Sequence, residues 1–319
     1  MKRILFLAPS FFNYENVITE CLALNNSVDF VDNQKHWNEY RVEWNKSLGR
    51  KILRKLLPPL KTNDREHLEK KFEEKYRRCY KKERDSYDVV FCIKGDCFPN
   101  GCYEELKMQN PKALFVLYQW DDIELLNKRN HFKYFSHIYS YNITDCKKYG
   151  YKYLPMFYQN ENFNSDYKIR EYDIAMIGTD HKERVKLVKK IYKKYNKKYK
   201  LFIYFVTKSN DTSFFRHQEP LSFSEYMNVL ANSKVVLDIP HFKQTGPTTR
   251  VFDACVTKTK VISINKNLKK YPWYSSNIKF MNRRCPVISD TFINEPYNEN
   301  DFVPLSLNRW INTIIGEFE

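Results

Sequence analysis

Short apolar runs alternate with amphipathic stretches through the first half of the chain. Residues 3–8 (RILFLA) form an apolar run, and residues 14–24 then repeat apolar side chains at helical spacing. Further runs with the length and residue content of buried strands lie at 27–31, 87–93, 113–118, 137–141 and 152–154. A polar turn follows most of these runs. This order predicts a doubly wound α/β domain over residues 1–160.

The same rhythm restarts at residue 171 after a polar segment. We predict a linker at 161–170, a second α/β domain at 171–304 and a terminal helix at 305–319. Ser222 and Glu225 have the spacing of a helical capping box. Strands are expected at 172–177, 201–206, 234–239 and 260–264, and helices at 182–195, 222–231 and 248–256. The predicted fold is α/β, with two Rossmann-like domains facing across a cleft and the C-terminal helix packing back.

Residues 44–80 carry many charges, with apolar residues at helical intervals, and predict two helices separated by Pro58 and Pro59. The basic, amphipathic part at 50–61 has two interpretations. It is either an ordinary solvated helix or a patch for a membrane surface or an acceptor.

The charge balance favours anionic partners. The 319 residues include 54 Lys and Arg against 38 Asp and Glu, a net charge of +16. Nucleotide phosphates, lipid-linked phosphates, an anionic membrane or nucleic acid would all suit this charge, although an AT-rich genome alone would also enrich lysine. The basic residues are dispersed and form no recognised nucleic-acid motif, which disfavours nucleic acid.

Cysteine usage and the absence of long apolar stretches indicate a cytoplasmic protein. The eight cysteines form no CxxC pair, so we expect reduced thiols rather than a zinc ribbon. The N-terminal apolar run is too short for a signal peptide, and no stretch approaches the ~20 apolar residues of a membrane span. Membrane contact, at the inner face of the cytoplasmic membrane, would be peripheral.

The turn after the strand at 172–177 is a candidate anion site. We expect Gly178 to adopt positive φ and allow a tight turn into the next helix, whose free N–H groups attract anions. Thr179 would add a hydroxyl, and Arg184 would bind phosphate oxygens through two hydrogen bonds. A purely structural strand–glycine–helix junction is the alternative.

A second candidate loop precedes the helix at 248–256. Arg250 and Asp253 are three residues apart and would share one helix face. The guanidinium would lie beside a diphosphate and the carboxylate would accept hydrogen bonds from ribose; an intrahelical ion pair is the alternative. His241 either contacts the donor or is structural. The other candidate donor-binding residues, including a loop glycine and possible helix-capping threonines, are Gln244, Thr245, Gly246, Thr248 and Thr249.

Carboxylates follow strands of the first domain. Asp121 and Asp96 are the candidate bases that would deprotonate an acceptor hydroxyl, with Asp121 favoured. A helix N-cap is the alternative role for either one, since aspartate is preferred there.

Several strings together resemble a known family. They are KGD at 94–96, YQWD at 118–121, YNITDCKKYG at 141–150, LPMFY at 154–158, YDI at 172–174 with IGT at 177–179, and QTG at 244–246 through Arg250. Over roughly residues 85–280 they resemble GT-B-fold glycosyltransferases of bacterial capsule, lipopolysaccharide and exopolysaccharide clusters.

The resemblance implies an N-terminal acceptor domain and a C-terminal domain that binds a nucleotide-sugar donor. Arg250 and Asp253 would then hold the donor diphosphate and ribose. Related retaining enzymes carry two glutamates seven residues apart here, but in this chain Asp253 stands for one and no glutamate precedes it at the matching place. We therefore expect inversion. The resemblance also implies that a helix N-terminus and basic side chains stabilise the leaving diphosphate, so we expect no metal and no cofactor.

The leading function is transfer of a sugar from a nucleotide-diphosphate sugar to a glycan or lipid-linked glycan acceptor. One alternative is a non-catalytic GT-B-like partner in a polysaccharide-assembly complex. Another, less favoured, is a basic nucleic-acid-binding protein.

Overall fold

The computed structural model describes residues 1–35, 73–74, 76–78, 86–126, 130–158, 166–299 and 305–316. Most of the predicted helical region at 44–80, including the basic segment at 50–61, lies outside the described residues. The chain divides into two compact units. The first comprises Met1–Ser140, Asp145–Leu154 and Ile311–Glu319, and the second comprises Tyr141–Thr144 and Pro155–Trp310.

The first unit contains a parallel sheet of six strands in the order β2-β1-β3-β4-β5-β6. The strands are β1 (Arg3–Ala8), β2 (Ser27–Asp32), β3 (Val89–Ile93), β4 (Leu114–Gln119), β5 (His137–Ser140) and β6 (Lys152–Tyr153). The helices are α1 (Tyr14–Ala23), α2 (Asn100–Gln109) and α3 (Ile143–Tyr149). Apolar side chains on one face of the sheet, among them Leu7, Val90 and Leu117, pack with Tyr103 and Leu106 of α2.

The second unit contains another six-stranded parallel sheet, in the order β10-β9-β8-β11-β12-β13. Its strands are β8 (Tyr172–Thr179), β9 (Leu201–Val206), β10 (Arg216–His217), β11 (Ser233–Asp238), β12 (Lys260–Ser263) and β13 (Ile278–Phe280). Its helices are α4 (Lys182–Tyr195), α5 (Phe223–Ala231), α6 (Thr249–Val256) and α7 (Asp290–Asn294). A separate parallel pair is formed by β7 (Phe157–Tyr158) and β14 (Leu305–Ser306).

The predicted α/β fold with two doubly wound sheets is confirmed. The capping box at Ser222 and Glu225 is also present at the start of α5. Strands β10 and β13 extend the second sheet beyond the strands that the sequence predicts. The order of this sheet is that of a Rossmann fold. Strands β9 and β10 are added on one side of β8, and strands β11 to β13 are added on its other side, so the order of strand addition reverses between β8 and β11.

The C-terminal helix α8 (Leu307–Ile315) begins in the second unit, and its residues from Ile311 onward belong to the first. The carbonyl of Thr313 accepts a hydrogen bond from Tyr139 at 3.3 Å, and that of Ile315 accepts one from Lys2 at 3.2 Å.

The segment that the sequence assigns to a linker holds a buried arginine. Arg170 donates to the carbonyls of Ser233 and Thr257, at 2.7 Å each, and to the hydroxyl of Thr259 at 3.0 Å. The division between the two units falls earlier, between Leu154 and Pro155. No helix within the described ranges is long and apolar enough to span a bilayer.

Candidate anion site at the switch point of the second sheet

The candidate site lies at the carboxyl ends of β8 and β11, where the strand order of the second sheet reverses. β8 ends at Gly178 and Thr179, and β11 ends at Asp238. The helices that follow, α4 and α6, begin just beyond these strand ends. In open parallel sheets this is the position at which ligands bind.

Two arginines meet beside Gly178. A Cβ atom built on Gly178 would lie 3.2 Å from Nη1 of Arg184 and 3.3 Å from Nη2 of Arg250. The predicted positive φ of Gly178 is wrong: among the described glycines, φ is positive at Gly95 and Gly150. Gly178 remains part of the extended strand, and its lack of a side chain leaves room for both guanidinium groups.

Backbone carbonyls fix both guanidinium groups. Arg184 donates from Nε to Ile239 O at 2.8 Å and from Nη1 to Thr179 O at 2.7 Å. Its Nη1 also contacts the Thr179 hydroxyl at 3.0 Å. Arg250 donates from Nη2 to Ile177 O at 2.5 Å. The two side chains therefore have defined orientations before any ligand binds.

A single carboxylate offsets the two positive charges. Asp238 is fully buried and accepts a hydrogen bond from Arg250 Nη1 at 3.3 Å. Its other partners are the hydroxyls of Thr248, at 2.7 Å, and Ser263, at 2.6 Å. Burial and, to a smaller extent, the charge of Arg250 lower the pKa of Arg184 to about 10, while Asp238 opposes the shift. The pair thus retains an excess of positive charge at neutral pH.

The N-terminus of α6 lies in the same place. Thr248 occupies the N-cap position, but its hydroxyl bonds to Asp238 and does not cap the helix. The predicted capping by Thr248 is therefore wrong, and Thr249 is the first residue of the helix itself. The Nε of Arg250 is buried and has no hydrogen-bond partner. An uncapped helix start beside a buried, unpartnered N–H favours an anionic ligand.

Asp253 bonds to a neighbouring helix and forms no ion pair with the arginines. Its carboxylate accepts a hydrogen bond from the Tyr226 hydroxyl of α5 at 2.8 Å, and the residue is buried. Burial raises the pKa of Asp253 to about 7, although Tyr226 and Arg250 act in the opposite direction. The alternative of an exposed ion pair between Arg250 and Asp253 is wrong, since Arg250 pairs with Asp238. Ribose binding by Asp253 remains a prediction.

The loop before α6 is held by asparagine side chains. Asn265 donates to the carbonyls of Thr245, at 3.1 Å, and Gly246, at 3.0 Å. Asn142 donates to the Thr245 hydroxyl at 2.9 Å, and Gln244 donates to Pro247 O at 3.3 Å. Gly246 is buried, so this loop is an ordered part of the second unit.

His241 lies close to a second histidine. Its ring centroid is 5.7 Å from that of His181, the residue at the N-cap of α4. Burial lowers the pKa of His181, and the charges of Arg184 and His241 add to this shift while Asp180 opposes it. The histidines add polar ring nitrogens near the arginine pair.

The candidate bases lie in the first unit, after β3 and β4. Asp121 forms an ion pair with Lys94 at 3.0 Å and is 41% exposed, so solvent reaches it. Asp96 is mostly buried at 9% exposure. Lys94 and Gly95 both have positive φ, which is uncommon for a lysine and marks a constrained backbone at this strand end.

Some residues of the anion site were missed by the sequence prediction. Asp238 is the last residue of an apolar run, so the sequence pattern assigns it only to a strand. Asn265 lies just after the next strand. Polar residues directly after strands were the available signal for both. Within the described part of the chain, no cluster of three or more His, Cys, Asp or Glu is placed to hold a metal ion.

Comparisons with known proteins find no matching family model and no matching curated protein. Among solved structures, the chain is similar to S. aureus MnaA with UDP, at 10% identity and a TM-score of 0.45, over 83% of this chain and 79% of that one. It is also similar to a UDP-N-acetylglucosamine 2-epimerase, at 8% identity and a TM-score of 0.43, over 88% and 83% of the two chains.

A third structure is the glycosylation-associated Gap123 complex of Streptococcus agalactiae, at 11% identity and a TM-score of 0.37, over 77% of this chain and 51% of that one. At these values the likenesses add nothing to the fold class, which the two parallel sheets establish by themselves.

Proposed function

We propose that this protein binds a nucleotide-diphosphate sugar at the switch point of its second sheet and transfers the sugar to a surface-glycan acceptor. The observation that supports the proposal is the pair of guanidinium groups of Arg184 and Arg250 beside Gly178, with Asp238 as their shared carboxylate. A diphosphate would supply the missing negative charge. It would also accept hydrogen bonds from the start of α6 and from Arg250 Nε.

In this proposal the same groups stabilise the departing nucleoside diphosphate. Charge develops on the leaving oxygen as the bond to the sugar breaks, and oriented donors at that point lower the barrier. Arg184 and Arg250 fill the role that a divalent cation has in other transferases, so the reaction would require no metal. Asp121, the more exposed candidate, would act as the base for the acceptor hydroxyl, with inversion at the anomeric carbon.

The binding step can be tested by measuring, with thermal shift and calorimetry, how the protein responds to a panel of nucleoside diphosphates and nucleotide-sugars. We expect one nucleoside diphosphate to stabilise the protein, by about 2.7 kcal/mol at a hundredfold excess over Kd. Arg250→Gln removes a charge-assisted hydrogen-bond donor worth about 1.5–3 kcal/mol, so Kd should rise roughly ten- to a hundredfold.

Lys234→Gln is the matched control. Lys234 lies near the start of β11, at the opposite end of the strand from Asp238, and pairs with Asp173 at 2.8 Å. The variant makes the same charge change away from the site and should bind as the wild type does. A folded protein that responds to no member of the panel, or equal losses in both variants, would refute the binding site.

Binding without transfer is the second candidate function. Two carboxylates that the sequence analysis assigned to the site already have protein partners, which favours this candidate: Asp121 pairs with Lys94, and Asp253 accepts a hydrogen bond from Tyr226. Asp121→Asn distinguishes the two functions. If the protein is a transferase, this variant should bind the donor normally and lose sugar transfer; hydrolysis or transfer at the wild-type rate would exclude Asp121 as the base.

A further inference from the structure

Helix α4 carries a row of lysines on its outer face. They recur at positions i, i+4, i+7, i+8 and i+11 of the helix, which places them on one side, and all are exposed. We call this set the lysine stripe: Lys182, Lys186, Lys189, Lys190 and Lys193. The opposite side of the helix packs into the core through Val185, Leu187, Val188, Ile191 and Tyr195.

The lysine stripe has few acidic neighbours, although Asp211 lies close enough to Lys189 for their charges to interact. Glu183 is the single acidic residue of α4. Among the residues that the structure describes, no stripe lysine forms an ion pair with a carboxylate. Lys189 instead lies 5.0 Å from the centroid of the Phe214 ring. The remaining stripe lysines project into solvent.

This arrangement opposes the stability of the helix. Lysines three or four residues apart are neighbours on a helix surface, and like charges at this spacing repel each other. Lys186 has such a neighbour on both sides, Lys182 and Lys190, and Lys189 has Lys193. Glutamates at some of the lysine positions would leave the packing of the opposite side of α4 against the core unchanged. An anionic partner would convert the repulsion into binding energy.

We propose that the lysine stripe docks the second unit on an anionic lipid bilayer. Exposed lysine ammonium groups along one side of a helix suit the dispersed negative charge of lipid headgroups, which attract basic segments without a specific pocket. Single-stranded nucleic acid is recognised by aromatic rings on which bases stack, whereas the Phe214 ring beside the stripe already contacts Lys189, Tyr192 and Phe215. The five stripe residues are all lysines, so adsorption is mainly electrostatic.

Co-sedimentation with vesicles tests the docking surface. The 319-residue chain should bind vesicles of phosphatidylcholine with phosphatidylglycerol, release them as salt is raised, and not bind phosphatidylcholine alone. Each stripe lysine near the surface should contribute about fivefold to the partition coefficient, so the triple variant Lys186→Gln, Lys190→Gln, Lys193→Gln should bind about a hundredfold more weakly.

The control is a second triple variant with the same loss of charge in the same unit: Lys266→Gln, Lys270→Gln, Lys279→Gln. These lysines are exposed and form no described ion pair. The control should retain vesicle binding to within a few fold. Equal loss in both triple variants would show that net charge alone drives adsorption and would overturn the assignment.

Two other outcomes would also overturn it. One is wild-type protein that stays in solution with phosphatidylglycerol vesicles at low salt. The other is a single-stranded oligonucleotide that binds through the stripe and displaces the vesicles. Nucleoside diphosphate binding should be unchanged in both triple variants, so this proposal and the proposed function stand or fall separately.

Discussion

Replacement of Asp253 by asparagine should change how the stability of the second unit depends on pH. In the folded protein, burial raises the pKa of this carboxyl from 3.8 to about 7. The unfolded chain therefore releases the proton near pH 4, whereas the folded chain retains it until about pH 7. Between these values the unfolded state binds fewer protons, so this group makes the protein less stable as pH rises.

The magnitude follows from the size of the shift. A difference of about three pKa units, at 1.36 kcal/mol per unit, makes ionised Asp253 cost about 4 kcal/mol in the folded protein above pH 7. Asparagine carries no charge and still accepts the hydrogen bond from Tyr226. Its amide brings two N–H donors into the same buried space, and leaving them unpaired costs about 1–3 kcal/mol. This second cost does not change with pH.

The variant should thus be about 1–3 kcal/mol more stable than the wild type near pH 8 and less stable near pH 4. The quantity to measure is the change in that difference, about 4 kcal/mol in favour of the variant between the two pH values. Urea unfolding at a series of pH values provides it. Trp273 is a suitable fluorescent reporter because its ring lies 5.2 Å from that of Phe252 in α6.

Asp290→Asn serves as a control of opposite sign. Hydrogen bonds from Lys198 and Tyr199 lower the pKa of Asp290 below its ordinary value of 3.8, so its ionised form favours the folded state. The variant should therefore lose stability relative to the wild type as pH rises towards 3.8, and the difference should change little above about pH 5. If the stability of Asp253→Asn relative to the wild type does not increase between pH 4 and pH 8, then folding does not raise the pKa of this carboxyl and the burial argument is wrong. Undiminished nucleoside diphosphate affinity in Asp253→Asn would also argue against the predicted ribose contact.

Three further predictions concern other groups. Burial lowers the pKa of His131 to about 4, so the wild type should lose stability as pH falls from 6.5 towards 4; urea unfolding of His131→Gln should show a weaker pH dependence over this range. Gly178→Ala should fold but bind nucleoside diphosphate at least about tenfold more weakly by calorimetry, because its Cβ would crowd the guanidinium groups of Arg184 and Arg250. Treatment with EDTA should leave nucleoside diphosphate affinity unchanged; a loss that magnesium restores would contradict metal independence.

The strands of both sheets could be predicted because parallel strands buried on two faces are continuous apolar runs. Residues 87–93 are a clear case, since the observed strand β3 (Val89–Ile93) within this run is buried at every position. The edge strands of the second sheet, β10 and β13, were missed for the same reason. Arg216–His217 is two residues long and polar, and Ile278–Phe280 contains an exposed lysine. Edge strands are paired on one side only, so their sequences need not be apolar.

The candidate site could be predicted in part. Arg184 and Arg250 were identified because each follows a strand and begins a helix, and this local pattern is visible in sequence. Asp238 was not identified, because its importance comes from Thr248 and Ser263, which are 10 and 25 residues away in sequence. The partner of Asp253 is Tyr226, 27 residues earlier on another helix. Spacing within one helix could not reveal either relation.

The paired arginines explain how the site could favour a diphosphate over a neutral ligand. With a pKa near 10 despite its burial, Arg184 keeps its charge at neutral pH, and Asp238 compensates the excess only in part. A second negative group at this point would be attracted strongly by the two guanidinium groups, because the surroundings are poorly solvated. The backbone carbonyls of Thr179, Ile177 and Ile239 hold both guanidinium groups, so little side-chain freedom is lost when a ligand binds. Affinity at this point would therefore depend on ligand charge, and the choice of base and sugar must come from other side chains.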